Sequence, residues 1–162
     1  MAKVKEEKTN VMRTLEQKGI PYTAYTYPSE GGAMDGVSVA SYLGQDPEAV
    51  FKTLVAKGAS GQYYVFDIPV ADSLDLKKAA RAVGEKSIAM IAQKELLPLT
   101  GYVHGGCSPV GMKKLFPTVF HETAEILDTI MVSAGKIGFQ VECRPQDLME
   151  LVNATTADII VD

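Results

Sequence analysis

The pattern of apolar and polar positions opens with a helix. Between Thr9 and Gly19 the side chains of Val11, Met12 and Leu15 fall on one face, Thr9 or Asn10 can cap the N-terminus, and Gly19 supplies a permissive stop. Pro21 blocks continuation. Over residues 22–27 aromatic and small polar side chains alternate, the period of a strand with one buried face. Residues 29–36, SEGGAMDG, hold three glycines and read as a mobile surface loop. A short helix is predicted over 38–43, ending at Gly44, and Asp46 with Pro47 forms a cap and first-turn pair for one further helical turn. Two β-rich runs, 50–57 and 62–70, flank the turn GASG and predict a hairpin.

The best-defined helix is SLDLKKAARAVG, with Leu76, Ala79, Ala80 and Val83 on one stripe, Ser73 or Asp75 as cap and Gly84 as stop. A short apolar run, 88–91, precedes a helical stretch at 93–97 that Pro98 closes, and the glycine-rich segment GYVHGGCSPVG follows. Strands are predicted over 118–121, 129–133 and 139–143, and a helix over 145–152 turns Leu148, Met149 and Val152 inward. Residues 159–161 add a last edge strand. Several strand pairs are joined by turns too short for a helical crossover, so hairpins coexist with helices and the fold class is α+β. No repeat or linker divides the chain.

Composition narrows the choice. A chain of 162 residues fits one domain, since domains commonly run to roughly 100–200 residues, and 46% hydrophobic against 22% charged side chains is the balance of a folded globule. No apolar run approaches the roughly 18 residues of a membrane span, and the start MAKVKEEKTN lacks the apolar core of a signal peptide. The expectation is a cytoplasmic protein that meets no membrane. Cys107 and Cys143 are expected to be free thiols. Net charge −4, from 16 basic and 20 acidic side chains, argues against broad, sequence-blind binding of DNA or any long nucleic-acid backbone while leaving room for a small local contact.

Most catalytic templates are exhausted quickly. His104, His121, Cys107 and Cys143 have the right chemistry for a Cys2His2 zinc site, but no close ligand pair anchors one. Cys107 with His104 three residues upstream is the local candidate for a Cys–His nucleophile. No GxGxxG, Walker A or GxSxG pattern occurs, so no cofactor is supported. Three other features stand out. Lys52 interrupts the apolar run AVFKTLV, with Phe51 and Thr53 on the opposite strand face. It reads either as a solvated lysine on an open edge or as an ammonium at the mouth of a cleft. Gly105 and Gly106 let backbone N–H groups approach a ligand closely, and SAGKIG, 133–138, is a second glycine loop after a strand. Together they make a cleft for an anionic or ester substrate.

FKTL at 51–54, GYVHGGCSPVGMKK at 101–114 and VSAGKIGFQVE at 132–142 resemble the YbaK/EbsC family, relatives of the editing domain inserted in bacterial prolyl-tRNA synthetases. The start KTNVMRTLEQKGIPYTAYTY and the helix LDLKKAA fit the same pattern in the same order, so the resemblance spans nearly the whole chain, 1–162, as one editing domain. It implies a mixed, strongly curved β-sheet or partial barrel with surrounding helices, without metal or nucleotide cofactor. The implied activity is a free-standing aminoacyl-tRNA deacylase, most like the branch that hydrolyses cysteine mischarged on proline tRNA. Lys52 falls on the family's functional lysine, Phe51 and Thr53 on its pocket neighbours, and Tyr27 on a first-strand tyrosine. Gly105 and Gly106 fall on the GG motif, and Ser133, Ala134 and Gly135 on the strand-end loop. Where many members carry an acidic residue and a histidine after the tyrosine, this chain has Pro28 and Ser29.

In that branch the substrate's own thiol attacks its ester, so the enzyme need only orient the aminoacyl group and stabilise an oxyanion. The implied partners are the 3′ end of aminoacylated tRNA and, transiently, prolyl-tRNA synthetase. Three alternatives stay open: a deacylase for alanine or serine, a catalytically silent binding module on the same scaffold, and a thiol or metal protein built on Cys107.

Overall fold

Helix α1 (Asn10–Gln17) forms where its signals lie: the Thr9 hydroxyl accepts from the Met12 N–H at 3.2 Å, and Val11, Met12 and Leu15 are buried. The computed structural model describes residues 7–30, 32 and 34–162. Residues 1–6 of the N-terminal stretch, and Gly31 and Ala33 of the glycine loop, lie outside the described residues. In chain order the remaining elements are β1 (Thr23–Thr26), α2 (Gly36–Tyr42), β2 (Phe51–Gly58), β3 (Tyr63–Pro69), α3 (Leu76–Val83), β4 (Ile88–Met90), α4 (Gln93–Thr100), β5 (Thr118–His121), β6 (Ile130–Ser133), β7 (Phe139–Cys143), α5 (Pro145–Leu151) and β8 (Thr155–Ala157). Short 3-10 turns cover Pro47–Ala49 and Glu122–Glu125.

The fold is mixed α+β, with five helices and two sheets among the described residues. A three-stranded antiparallel sheet has the order β1-β7-β6, and a five-stranded mixed sheet has the order β4-β2-β3-β5-β8. The predicted hairpin is β2–β3, whereas β3–β5 and β5–β8 run parallel. The strands therefore divide into two open sheets rather than closing into one barrel. A parallel bridge from Val50, just before β2, to Met131 of β6 joins them.

Alternation gives β2 and β3 two separate jobs. One face sets Leu54, Ala56, Phe66 and Ile68 against Ala79 and Ala80 of α3. The other sends Phe51 into the core shared with α1, β6, β7 and α5, and Val55 and Val65 into a cluster with Leu96, Cys107 and Phe116. Asp75 caps α3 through the N–H groups of Lys77 and Lys78, both at 3.0 Å, and Gly84 closes it at φ 75°.

Three expectations are corrected. Pro98 does not close a helix but sits inside α4, whose ends are strongly signalled. Glu95 accepts from the Ala92 N–H at 2.8 Å, and Gly101, at φ 87°, donates to the Leu97 carbonyl at 2.8 Å. Pro98 and Lys94, whose carbonyl loses its helical donor, are both exposed. The last strand is Thr155–Ala157, pairing with β5, while Ile160 makes only an isolated bridge to Leu74 and Ile159 is a core side chain. Leu76, at the first turn of α3, is 41% exposed instead of joining the buried stripe.

Candidate active site

The seam between the sheets opens into a cleft of about 500 Å³. The start of β2 forms its floor, contributing Phe51, Lys52, Thr53 and Leu54. Lys52 is half-buried. Desolvation holds its ammonium below the usual lysine value, and Asp72 opposes that shift. Phe51 is 2% exposed, its ring centroid 6.3 Å from that of Phe120, so the backbone beside Lys52 is anchored in the core.

One wall comes from α2 and the residues before it. The Asp35 carboxylate caps this helix, accepting from the Ser38 N–H at 2.8 Å and the Ser38 hydroxyl at 2.9 Å. A Cβ at Gly36 would stand 2.5 Å from a Val70 methyl, so the absence of a side chain lets α2 lie on the end of β3. Met34, Val37 and Val39 then face the cleft. Tyr27, buried at the end of β1, adds to the lining and donates its N–H to the Gly138 carbonyl at 2.9 Å.

The facing wall is built by the 101–117 segment and the end of the small sheet. Gly105, at φ 87°, lines the cleft with His104 and Cys107, and Ser133 and Gln140 line it from β6 and β7. The Ser133 hydroxyl oxygen accepts from the Gly135 N–H at 3.1 Å, leaving its own proton for the cleft. Gln140 is buried, and its Oε1 finds no partner among the described residues.

Tyr27, Phe51, Lys52, Thr53, Gly105 and Ser133 all line this cleft, while Gly106, Ala134 and Gly135 do not: Gly106 and Ala134 are buried, and Gly135 is partly exposed. A Cβ on Gly106 would meet the Ile137 nitrogen at 3.0 Å, and Gly135, at φ 91°, presses against Tyr102 and Val11. Ala134 is fully buried in the core. Gly106 is further corrected as an N–H donor to substrate, because its N–H is engaged with the Val103 carbonyl at 3.0 Å. Among the described residues the Gly105 N–H takes no such bond.

Cys107 does not form the Cys–His pair. Burial, reinforced by the charge of Asp67, pushes its thiol up to about 12, and no hydrogen bond joins it to His104 among the described residues. Such a thiol stays protonated and is a poor nucleophile. The zinc alternative also fails. Among the described residues no group of three or more His, Cys, Asp or Glu side chains is placed to hold a metal, and His121 instead accepts from the Ile159 N–H at 3.3 Å. Both cysteines are free, and no described helix is long and apolar enough to cross a membrane.

Sequence reasoning passed over Gln140, the α2 wall and, behind Thr53, Asp67. Asp67 carries the same signal as Lys52, an ionisable side chain inside an apolar strand run. It is fully buried, its carboxyl oxygen accepts the Thr53 hydroxyl at 2.6 Å, and desolvation pushes its pKa up to about 7 against the pull of that bond.

Residues 31–151 match the model of the aminoacyl-tRNA editing domain. Over 160 residues the chain is 44% identical to EbsC of Enterococcus faecalis, provisionally named a Cys-tRNA(Pro)/Cys-tRNA(Cys) deacylase, with 98% of both chains covered. A crystal structure described provisionally as a trans-editing enzyme for prolyl-tRNA synthetase superposes with TM-score 0.82 at 26% identity, covering 94% of this chain and 95% of that one. A second, described only as a hypothetical protein, superposes with TM-score 0.83 at 21% identity over 93% of this chain and 99% of that one, a likeness of fold alone. The extent of these matches decides the matter: the chain belongs to the aminoacyl-tRNA editing domain family.

Proposed function

We propose that the chain is a trans-acting deacylase that hydrolyses the ester of cysteine mischarged on proline tRNA, working as one module in the cytoplasm. One observation carries the reading: Lys52 and the Gly105 turn line the same cleft, while the thiol in its wall, Cys107, is held protonated. The cleft has the size of a small-ligand site and takes an esterified amino acid with its terminal adenosine. Lys52 anchors the adenosine or its phosphate as a point charge. The Gly105 N–H, with the Ser133 hydroxyl beside it, stabilises the oxyanion.

The nucleophile then comes from the substrate. The cysteine thiol gives up its proton, and its sulfur attacks the ester carbonyl. The bond to the ribose oxygen breaks, that oxygen takes a proton, and a four-membered thiolactone leaves for hydrolysis by water. A tethered nucleophile in a near-attack pose reaches effective molarities on the order of 10⁵ M or more, which offsets part of the ring strain.

The test is deacylation of proline tRNA charged with cysteine, alanine or serine. Cysteine is expected to be released fastest, because alanine cannot form the ring. Equal rates for cysteine and alanine would show that water attacks instead. Lys52→Ala is expected to lower kcat/KM at least about tenfold at subsaturating charged tRNA, the loss of roughly one charged contact. Full activity in that variant would remove Lys52 from the site.

A further inference from the structure

We propose that Asp67 is a positioning residue that decides whether the Thr53 hydroxyl offers the cleft a lone pair or a proton. The inference rests on the deacylase reading for its substrate and on geometry for the rest. Thr53 and Asp67 are cross-strand partners in the β2–β3 register, and among the described residues the 2.6 Å contact between them is the only hydrogen bond the carboxyl makes. Its other oxygen is buried without a partner, and Asp67 joins no ion pair among the described residues. Facing it are Thr53 from β2, Phe120 from β5 and Cys107 from the 101–117 segment, none of them charged. Lys52 leaves the opposite face of the strand.

A carboxylate can only accept, so while Asp67 is ionised Thr53 must donate to it and presents lone pairs to the cleft. Once Asp67 is protonated, its O–H can donate to Thr53, whose own proton then turns outward. Burial without a cation brings both forms within reach near neutrality, since the group titrates at about 7. Above that pH the cleft accepts a donor such as the α-ammonium or a ribose hydroxyl. Below it the cleft offers a donor instead, and the α-ammonium or ribose hydroxyl loses its acceptor and binds less well.

The experiment follows binding of a stable probe, the 3′-amide analogue of cysteinyl-adenosine, across pH in wild type, Asp67→Asn, Thr53→Val and Thr53→Ser. The Asp67 carboxyl carbon is followed by NMR in parallel. The expected result is a Kd about tenfold tighter at pH 8 than at pH 6 in wild type and Thr53→Ser, and flat in Asp67→Asn and Thr53→Val beyond the probe amine's own titration, common to all four. In Thr53→Val the Asp67 carbon should titrate at higher pH, having lost the donor that stabilises its charge, a response a purely structural role would not give. The same pH dependence in Asp67→Asn as in wild type, an Asp67 carbon titrating near the ordinary carboxylate value, or no probe binding at any pH would each overturn the proposal. If the probe behaves as expected but no charged tRNA is hydrolysed, the positioning role stands and the deacylase reading falls.

Discussion

Lys52 and Asp67 lie on neighbouring strands, each an ionisable group inside an apolar run, yet they never meet. Register pairs Lys52 with Ile68 and Thr53 with Asp67, so the ammonium and the carboxyl leave opposite faces of the hairpin. The unpaired carboxyl has a thermodynamic consequence. Its folded pKa, about 7, stands above the roughly 3.9 of an unfolded aspartate. Between those two values the unfolded chain has released its proton and the folded chain has kept it, so this group's contribution to stability falls as pH rises, by on the order of 4 kcal/mol over the window. Chemical denaturation should therefore show wild type losing stability relative to Asp67→Asn from about pH 4 to about pH 7, with the gap constant above. Parallel curves would show that the carboxyl is not desolvated as described. Lys52 was legible because one charged side chain in AVFKTLV is conspicuous. Asp67 stands in YYVFDIPV with the same signal, but only the cross-strand register, which the strand's own alternation does not specify, reveals that it backs onto Thr53.

At the scale of elements, the glycine turns were legible as loops near a site, but their division of labour was not. Sequence alone does not say which of Gly105 and Gly106 borders the cleft and which touches the neighbouring loop. Gly106 has a particular need for the missing side chain: a Cβ there would stand 3.0 Å from the Ile137 nitrogen and 3.3 Å from the Lys136 carbonyl carbon, both backbone atoms with little freedom to move. Gly106→Ala should force the 101–117 segment off the 134–138 loop. The expected cost is about 1–3 kcal/mol of stability and a fall in deacylation larger than the stability loss explains, because Gly105 and Ser133 move apart. Thermal unfolding and kcat/KM on the same preparation check this, and an unaltered Tm would contradict the packing. Helix boundaries set by caps were readable from Thr9, Asp75 and Gly84, whereas Pro98 and the apolar run at 159–161 misled. An apolar run reports burial, which Ile159 has, and not hydrogen bonding, which β8 supplies four residues earlier beside β5.

For the whole molecule, the question is how a chain of net charge −4 handles a polyanion. The answer that fits the structure is that it meets very little of it. On the proposed reading the cleft at the sheet seam takes one end group, and Lys52 is the lysine in its lining. Each phosphate neutralised on a single strand contributes about −0.7 to the slope of log K against log salt, so one or two contacts predict a slope near −1. Binding of charged tRNA measured across salt should give that shallow dependence. A slope steeper than about −4 would mean a broad basic footprint and displace the picture of end-only recognition. A shallow slope carries a second consequence, because a protein that reads only the aminoacylated end cannot tell one tRNA body from another. Alone, it should hydrolyse cysteine from proline tRNA and from a noncognate tRNA at similar kcat/KM. Adding prolyl-tRNA synthetase should raise the rate on proline tRNA selectively, by bringing the cleft to freshly released product as a local concentration effect. Discrimination between the two tRNAs without synthetase, or no rate change and no crosslinked complex with it, would place specificity in this chain's own surface instead.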